Sequence, residues 1–424
     1  MKSLFNLRDR SAFTKNLVTL ISGTTLAQAL PVVVSPILTR IYSPEDFGIL
    51  SIFMSMAVIL GIVANLKYEL AVLLPEKEMD AEIIVLLGIL ISLAFSLFLL
   101  IIIFFFQDTI LLILGDQRLS GWLYLVPPVV FLVGLYGMLN YYNTRLKKYK
   151  DIAYSKVAKS IAMVLVQLVA GWGKMAYGGL ILGYSVANVF GNIRLLKNFI
   201  RKRNMNVTFR KSELKRVAQR YKRFPIYTFP ATLANQMATD LVNILISLVF
   251  NVTTLGFYSL GMRMLGFPSS FIGTSVGQLY MQEAANEKER SGKAVIVFRS
   301  VLKKLILIGL PVFSLIFIFA EPVFAFVFGP EWRVAGTYSR YLIPLLFIRF
   351  VVSPVSVSLS IFEKQHLSLF LQVGMLIVTL LVFLFAWKFT LLFETFLLVY
   401  VVVLSVYYLF FLLILFKTVK GKSS

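Results

Sequence analysis

The stretch Ile83–Phe106, IIVLLGILISLAFSLFLLIIIFFF, decides the fold: 24 consecutive residues carry no charge. As a helix rising 1.5 Å per residue it measures about 36 Å, enough to cross a hydrocarbon core about 30 Å thick. Its apolar residues are continuous, whereas a barrel strand alternates, so it reads as a helix that satisfies its own backbone inside lipid. Comparable runs recur along all 424 residues. The chain is 58% hydrophobic and 15% charged, against about 25% charged for soluble domains. The fold class is all-α integral membrane, with no soluble domain large enough to act alone.

Twelve spans follow from the apolar runs: 16–41, 47–73, 82–106, 120–142, 152–173, 177–199, 224–250, 255–280, 297–319, 338–362, 367–387 and 392–416. The break at 107–119 encloses Leu111-Leu112-Ile113-Leu114 and reads as an interfacial segment. Ala27-Gln28-Ala29 mimics a signal-peptidase site, but its apolar segment continues to Ile41, too long for a cleaved leader. Of the 42 Lys and Arg, 34 fall on one side if both termini are cytoplasmic, 6 on the other and 2 within spans. Such an asymmetry sets the orientation and requires an even number of spans. The net charge of +22 is thus a topology signal and not a nucleic-acid surface. Cysteine is absent, which excludes disulfides.

The densest basic stretch, 194–223, holds 12 of these cations. It separates an N-terminal lobe (1–199, helices 1–6) from a C-terminal lobe (224–424, helices 7–12), with 200–223 as linker. Leu214, Val217, Ala218 and Tyr221 share one helical face, Ser212 is placed to cap and Pro225 to end the run. The segment is expected to lie as an interfacial helix on anionic lipid headgroups. The lobes echo one another. At an offset of 208, Gln28 meets Gln236, and Phe47-Gly48-Ile49-Leu50-Ser51 meets Leu255-Gly256-Phe257-Tyr258-Ser259. The shift is even in helices, so the repeat is parallel, about an axis along the membrane normal. Two such lobes around a central cavity form a transporter architecture.

Ionisable side chains at membrane depth are costly and face a cavity or a partner. Asp240, Arg263 and Arg349 lie roughly 15, 12 and 16 Å inside their spans at 1.5 Å per residue. The two guanidiniums suit a phosphate-bearing headgroup, because the planar fork donates bidentately and stays charged. Asp240 either couples a proton or sodium ion or pairs with Arg263 to lock neighbouring helices. In the first lobe Gln28, Asn140, Gln167, Asn188 and Asn192, with Lys156 and Lys159 near the start of helix 5, form a softer polar set. Its amides either bond sugar hydroxyls or hold helices together. Prolines recur inside spans, from Pro31 to Pro354, and invite kinks. Gly179 and Gly183 form a GxxxG that reads as helix packing. The single histidine, His366, has no metal-binding companions, and no phosphate-binding Gly-rich loop is present. External loops are too short for a catalytic domain, so the chain is expected not to be an enzyme and to need no cofactor.

Four ordered blocks resemble bacterial polysaccharide flippases of the multidrug/oligosaccharidyl-lipid/polysaccharide exporter superfamily. They are Pro36–Gly48 (PILTRIYSPEDFG); Lys67-Tyr68-Glu69-Leu70-Ala71 with Leu74-Pro75; 255–278 with Gly256-Phe257-Tyr258, Met262-Arg263 and Gly277-Gln278; and 328–372 with Phe328-Gly329-Pro330-Glu331-Trp332, Pro344, Arg349-Phe350 and Glu363-Lys364-Gln365. The resemblance implies a carrier of the bacterial cytoplasmic (inner) membrane. It would move undecaprenyl-pyrophosphate-linked oligosaccharide repeat units outward by ion-coupled alternating access, for O-antigen, lipopolysaccharide or exopolysaccharide synthesis. A polysaccharide polymerase and a chain-length regulator are the implied protein partners. The rival readings are a multidrug–cation antiporter and a peptidoglycan lipid-precursor flippase of the same superfamily.

Overall fold

The computed structural model describes residues 7–202 and 211–421, the side chains of 7–18, 267–272, 274, 275 and 365 excepted. The expected linker residues 203–210 and both extreme termini lie outside the described residues. The chain forms two compact units, Met1–Gln236 and Met237–Ser424.

In the first unit the sequence Ser43-Pro44-Glu45-Asp46 sets the opening helix boundary. α1 (Leu7–Ile41) ends there and α2 (Pro44–Val63) begins with a reciprocal capping box. The Asp46 amide donates to Ser43 Oγ at 3.2 Å, the Asp46 carboxylate accepts from the Ser43 amide at 2.9 Å, and Pro44 occupies the first turn, where no amide donor is needed. α2 does not run to residue 73 as expected. It stops at Val63, because Asn65 turns inward to donate to the Gly134 carbonyl at 3.2 Å, and Leu66 and Lys67 adopt left-handed backbone at φ 50° and 65°. Tyr68–Leu73 follows as a 3-10 turn.

α3 (Glu78–Leu114) is longer than expected. The break expected after residue 106 is a kink at Phe106 (φ −122°, ψ 21°), and the apolar run at 111–114 is helical beyond it. Gly115, at φ 74°, ends it. α4 (Val126–Arg145), α5 (Tyr149–Trp172) and α6 (Ala176–Lys202) complete the bundle. α5 and α6 approach closely because of the glycine pair. A Cβ on Gly179 would run into the Tyr42 hydroxyl and Ala170, and one on Gly183 would stand 2.8 Å from the Met163 carbonyl.

α7 (Lys211–Arg220) is the basic helix expected in the linker, though its partner differs from expectation. Its apolar face does not lie on lipid. Val217 (0% exposed) and Tyr221 are buried in one cluster with Tyr68, Ala71, Val72, Ala81 and Ile84, because the 68–73 turn offers an apolar seat nearby. Tyr68 Oη donates to the Ala218 carbonyl at 3.1 Å, and Arg216 bonds Asp80 at 2.5 Å. Ser212 lies inside the helix, so it is not the cap. A five-residue π-helical turn, Phe224–Thr228, carries Pro225 and leads into α8 (Phe229–Val249).

The second unit takes most of α8, then α9 (Val252–Ser291), α10 (Val295–Phe328), α11 (Arg333–Val355), the short α12 (Ser358–Ile361), α13 (Gln365–Lys388) and α14 (Phe393–Val419). Asn251 caps α9 by accepting from the Thr254 amide at 2.7 Å. The Gly329-Pro330-Glu331-Trp332 corner seats a fully buried Trp332 edge-on to Phe257, ring centroids 5.7 Å apart. Gly336 lets α11 touch the α10 backbone: a Cβ there would stand 2.7 Å from Glu321 Cα.

Eleven helices among the described residues are long and apolar enough to cross a membrane. The expected span 255–280 falls in α9, a continuous 40-residue helix in which several side chains lie outside the described set. The protein is an all-α, multi-pass integral membrane protein.

Candidate functional site

Arg349, on α11, is half-buried. Its guanidinium lies over the Tyr408 ring, 5.8 Å from the centroid, and within electrostatic reach of Tyr258 and Tyr400. These rings come from α9 and α14, and all three tyrosines are buried. The position works because Tyr400, Leu404 and Tyr408 repeat every fourth residue and so share one face of α14. Tyr408 Oη also donates to Met375 Sδ at 3.3 Å, which fixes the ring beneath the cation.

Asp240, on α8, lies within electrostatic reach of the same Tyr258 and accepts from Thr239 Oγ1 at 3.0 Å. Asp240 and Arg349, expected from the sequence at similar depth, therefore share a neighbour. Arg263 is half-buried on α9, and both it and Asp240 are engaged by further contacts. The tyrosines were not among the sequence candidates. Tyr258 stood inside a resembling block, but nothing in α14's largely apolar sequence distinguished Tyr400 and Tyr408. Chemically, a guanidinium ringed by phenols presents both charge and hydroxyl donors to an anionic, polyhydroxylated ligand.

In the first unit the amide candidates separate. Gln167 is spent on the helix pair: its Nε2 donates to the Leu180 carbonyl at 3.2 Å, and its own backbone carbonyl accepts from Tyr42 Oη at 2.6 Å. Burial pushes the Tyr42 phenol up to about 12, with the Asp46 charge adding to it, so it is a fixed donor. Gln28 is exposed on α1. Asn188 accepts from Lys159 Nζ at 2.8 Å, and Asn140 Oδ1 is buried without a hydrogen-bond partner. Lys159 is the residue whose depth the sequence understated. It lies ten residues after Tyr149, the first residue of α5, about 15 Å along the axis. At one end of the bundle, Asn198 donates to Asn143 and Asp151 at 2.8 Å each, and Arg194 pairs with Asp151 at 2.8 Å, clamping α4, α5 and α6. Near Ser43, Arg118 bridges Asp116 and Glu45 at 2.6 and 2.8 Å; its bonds to Asp116, then to Glu45, hold its affinity for the proton above that of a free guanidinium. Among the described residues no cluster of His, Asp and Glu is arranged to hold a metal ion.

The polysaccharide biosynthesis protein family matches residues 37–336. The succinoglycan biosynthesis transport protein ExoT of Rhizobium meliloti (strain 1021) is 22% identical over 317 residues, covering 72% of this chain and 60% of that protein. This chain thus spans 60% of that relative's length, less than two thirds. Among solved structures, the lipid II flippase MurJ in an inward closed conformation superposes with a TM-score of 0.73 at 13% identity, covering 94% of this chain and 87% of MurJ. An inward-facing multidrug resistance MATE transporter of the MOP superfamily gives 0.60 at 14% identity, covering 96% of each chain. These likenesses show the fold. The chain is a multi-pass cytoplasmic-membrane member of the polysaccharide biosynthesis protein family, built on the helical fold that MurJ and MATE share.

Proposed function

We propose that this protein is a flippase that carries undecaprenyl-pyrophosphate-linked oligosaccharide repeat units across the cytoplasmic membrane for surface polysaccharide synthesis. The observation that carries the reading is Arg349, a permanently charged donor half-buried in a membrane-spanning helix beside the buried Tyr258, Tyr400 and Tyr408. A guanidinium placed there suits a pyrophosphate, and the phenols suit sugar hydroxyls. Arg263 adds a second cation, and Asp240 couples a proton or sodium ion to the movement. In this reading twelve helices form two parallel six-helix halves with cytoplasmic termini, and access alternates between the two sides of the membrane. The exposed cations of α7, Lys211, Lys215, Arg216 and Arg220, meet anionic lipid headgroups with the helix's basic face, since its apolar face is occupied. A polysaccharide polymerase and a chain-length regulator receive the product. No catalytic step and no nucleic acid is involved.

The likeness to the lipid II flippase favours one second reading, transport of the peptidoglycan precursor, which presents the same pyrophosphate–sugar chemistry. Replacement of Arg349 and Arg263 by Gln in the native host separates the cases. Loss of surface polysaccharide with normal growth and normal membrane insertion supports the proposal. Lysis with intact polysaccharide supports the second reading, and unchanged polysaccharide and growth in both variants sinks the anion site.

A further inference from the structure

Lys156 and Lys159 stand one turn apart on α5, both half-buried at a depth where charge is costly. Among the described residues neither forms an ion pair with a carboxylate. An ammonium carries three donors. Lys156 gives one to Thr24 Oγ1 at 3.0 Å on α1, and Lys159 gives one to Asn188 Oδ1 at 2.8 Å on α6, with the Tyr136 ring of α4 at 5.5 Å. Donors remain on both, and the charge of both is uncompensated.

Acceptors stand nearby in the same state. Asn192 is 4% exposed; its Nδ2 donates to the Leu132 and Asn188 carbonyls at 2.9 and 2.8 Å, which fixes the amide, yet its Oδ1 has no partner. Asn140, one turn along α4 from Tyr136, likewise holds a buried Oδ1 without a partner. Gly191 is part of the arrangement, since a Cβ there would press to 3.3 Å on Lys159 Cδ and 3.6 Å on Tyr136 Cδ2. The glycine makes room for the lysine stem. Among the described residues, four helices of one unit thus carry two cations without counter-ions and two carbonyl oxygens without donors. Structural polar groups are ordinarily matched when buried. Here the unmatched groups are of both kinds, and what completes them is a ligand that carries a negative charge beside hydroxyl donors.

We propose that the first unit holds a second ligand site, in which Lys156 and Lys159 bind an acidic group of the sugar-bearing substrate while Asn140 and Asn192 accept from its hydroxyls. The inference rests on the flippase reading for the substrate's sugar. The acidic group is either the linkage phosphate or a carboxylate on a sugar ring, and two probes tell them apart. The purified full-length protein in detergent is heated with sodium pyrophosphate, glucuronate or glucose, and the unfolding midpoint is read. We expect at least one of the two anions to raise the wild-type midpoint by about 2 °C or more, with glucose ineffective. A shift with pyrophosphate alone assigns the phosphate, and one with glucuronate alone assigns the sugar acid. The shift should vanish in Lys156→Gln/Lys159→Gln and persist in Lys159→Arg. If the double variant fails to fold, Lys156→Gln alone should weaken the apparent affinity about tenfold, as expected for a lost charge-assisted bond. An undiminished shift in these Gln variants overturns the site, and so does a wild-type protein that neither anion stabilises. A shift kept in the lysine variants but lost in Arg349→Gln overturns this inference while leaving the second-unit site standing.

Discussion

Val217→Ala is expected to release α7 from the first unit. A ten-residue helix is marginal on its own in water, so α7 is held by its seat: fully buried Val217, Tyr221, the Tyr68–Ala218 hydrogen bond and the Arg216–Asp80 pair. Val to Ala removes two methylene-sized groups from a site with no exposed surface. At about 0.8 kcal/mol each, the loss is about 1.6 kcal/mol, or roughly a 15-fold rise in the local opening equilibrium. The ion pair carries less. Arg216 is 43% exposed, so Asp80→Asn should cost under about 1 kcal/mol, less than a fivefold rise. The assay is amide hydrogen exchange of peptides covering 211–221 in detergent, wild type against each variant. The reasoning fails if Val217→Ala leaves exchange near wild type while Asp80→Asn accelerates it. That outcome would make α7 a surface helix tethered to α3 by charge instead of one seated on its apolar face.

Other variants test the packing. Gly336→Ala places a methyl 2.7 Å from Glu321 Cα and 2.8 Å from the Ala320 carbonyl; because both are backbone atoms, we expect a loss of about 1–3 kcal/mol in thermal or denaturant unfolding. Tyr42→Phe removes the 2.6 Å bond to the buried Gln167 carbonyl; because that carbonyl keeps its place in the α5 ladder, the loss should cost about 0.5–1.5 kcal/mol, with the midpoint falling accordingly. Arg118→Ala breaks two ion pairs at a side chain that is 37% exposed, so the cost should stay under about 1 kcal/mol and shrink further in high salt.

The helices were legible because lipid imposes a simple requirement, length and continuous apolarity, which runs such as 83–106 state openly. Boundaries set by tertiary contacts were not. The run through Ala64 and Leu66 is as apolar as a helix interior, and only the inward turn of Asn65 toward Gly134 ends α2. The fate of the amphipathic α7 was equally hidden, since a face that suits lipid equally suits a protein seat. Of the site, Asp240 and Arg349 stood out as charges in apolar surroundings, and the structure gives them a common neighbour in Tyr258. Lys159 was placed with the polar set of the first lobe but only near the start of its span, because flanking basic residues made it look like the end of a topogenic cluster that could reach the headgroups. Its bond to Asn188 depends on α5 packing against α6, which no local pattern records. Tyrosines around Arg349 were invisible for a similar reason: in a sequence that is 14% aromatic, rings are background until a cation lies on one.

The central claim, movement of a pyrophosphate-linked saccharide, is tested most directly in vesicles. The purified protein is reconstituted with an undecaprenyl-pyrophosphate-linked fluorescent sugar confined to one leaflet, and its arrival in the other is read by added glycosidase. The account predicts rapid exposure with wild type and the rate of protein-free vesicles with Arg349→Gln. Exposure at the protein-free rate with correctly inserted wild type, tested with repeat units from its own host, would contradict it.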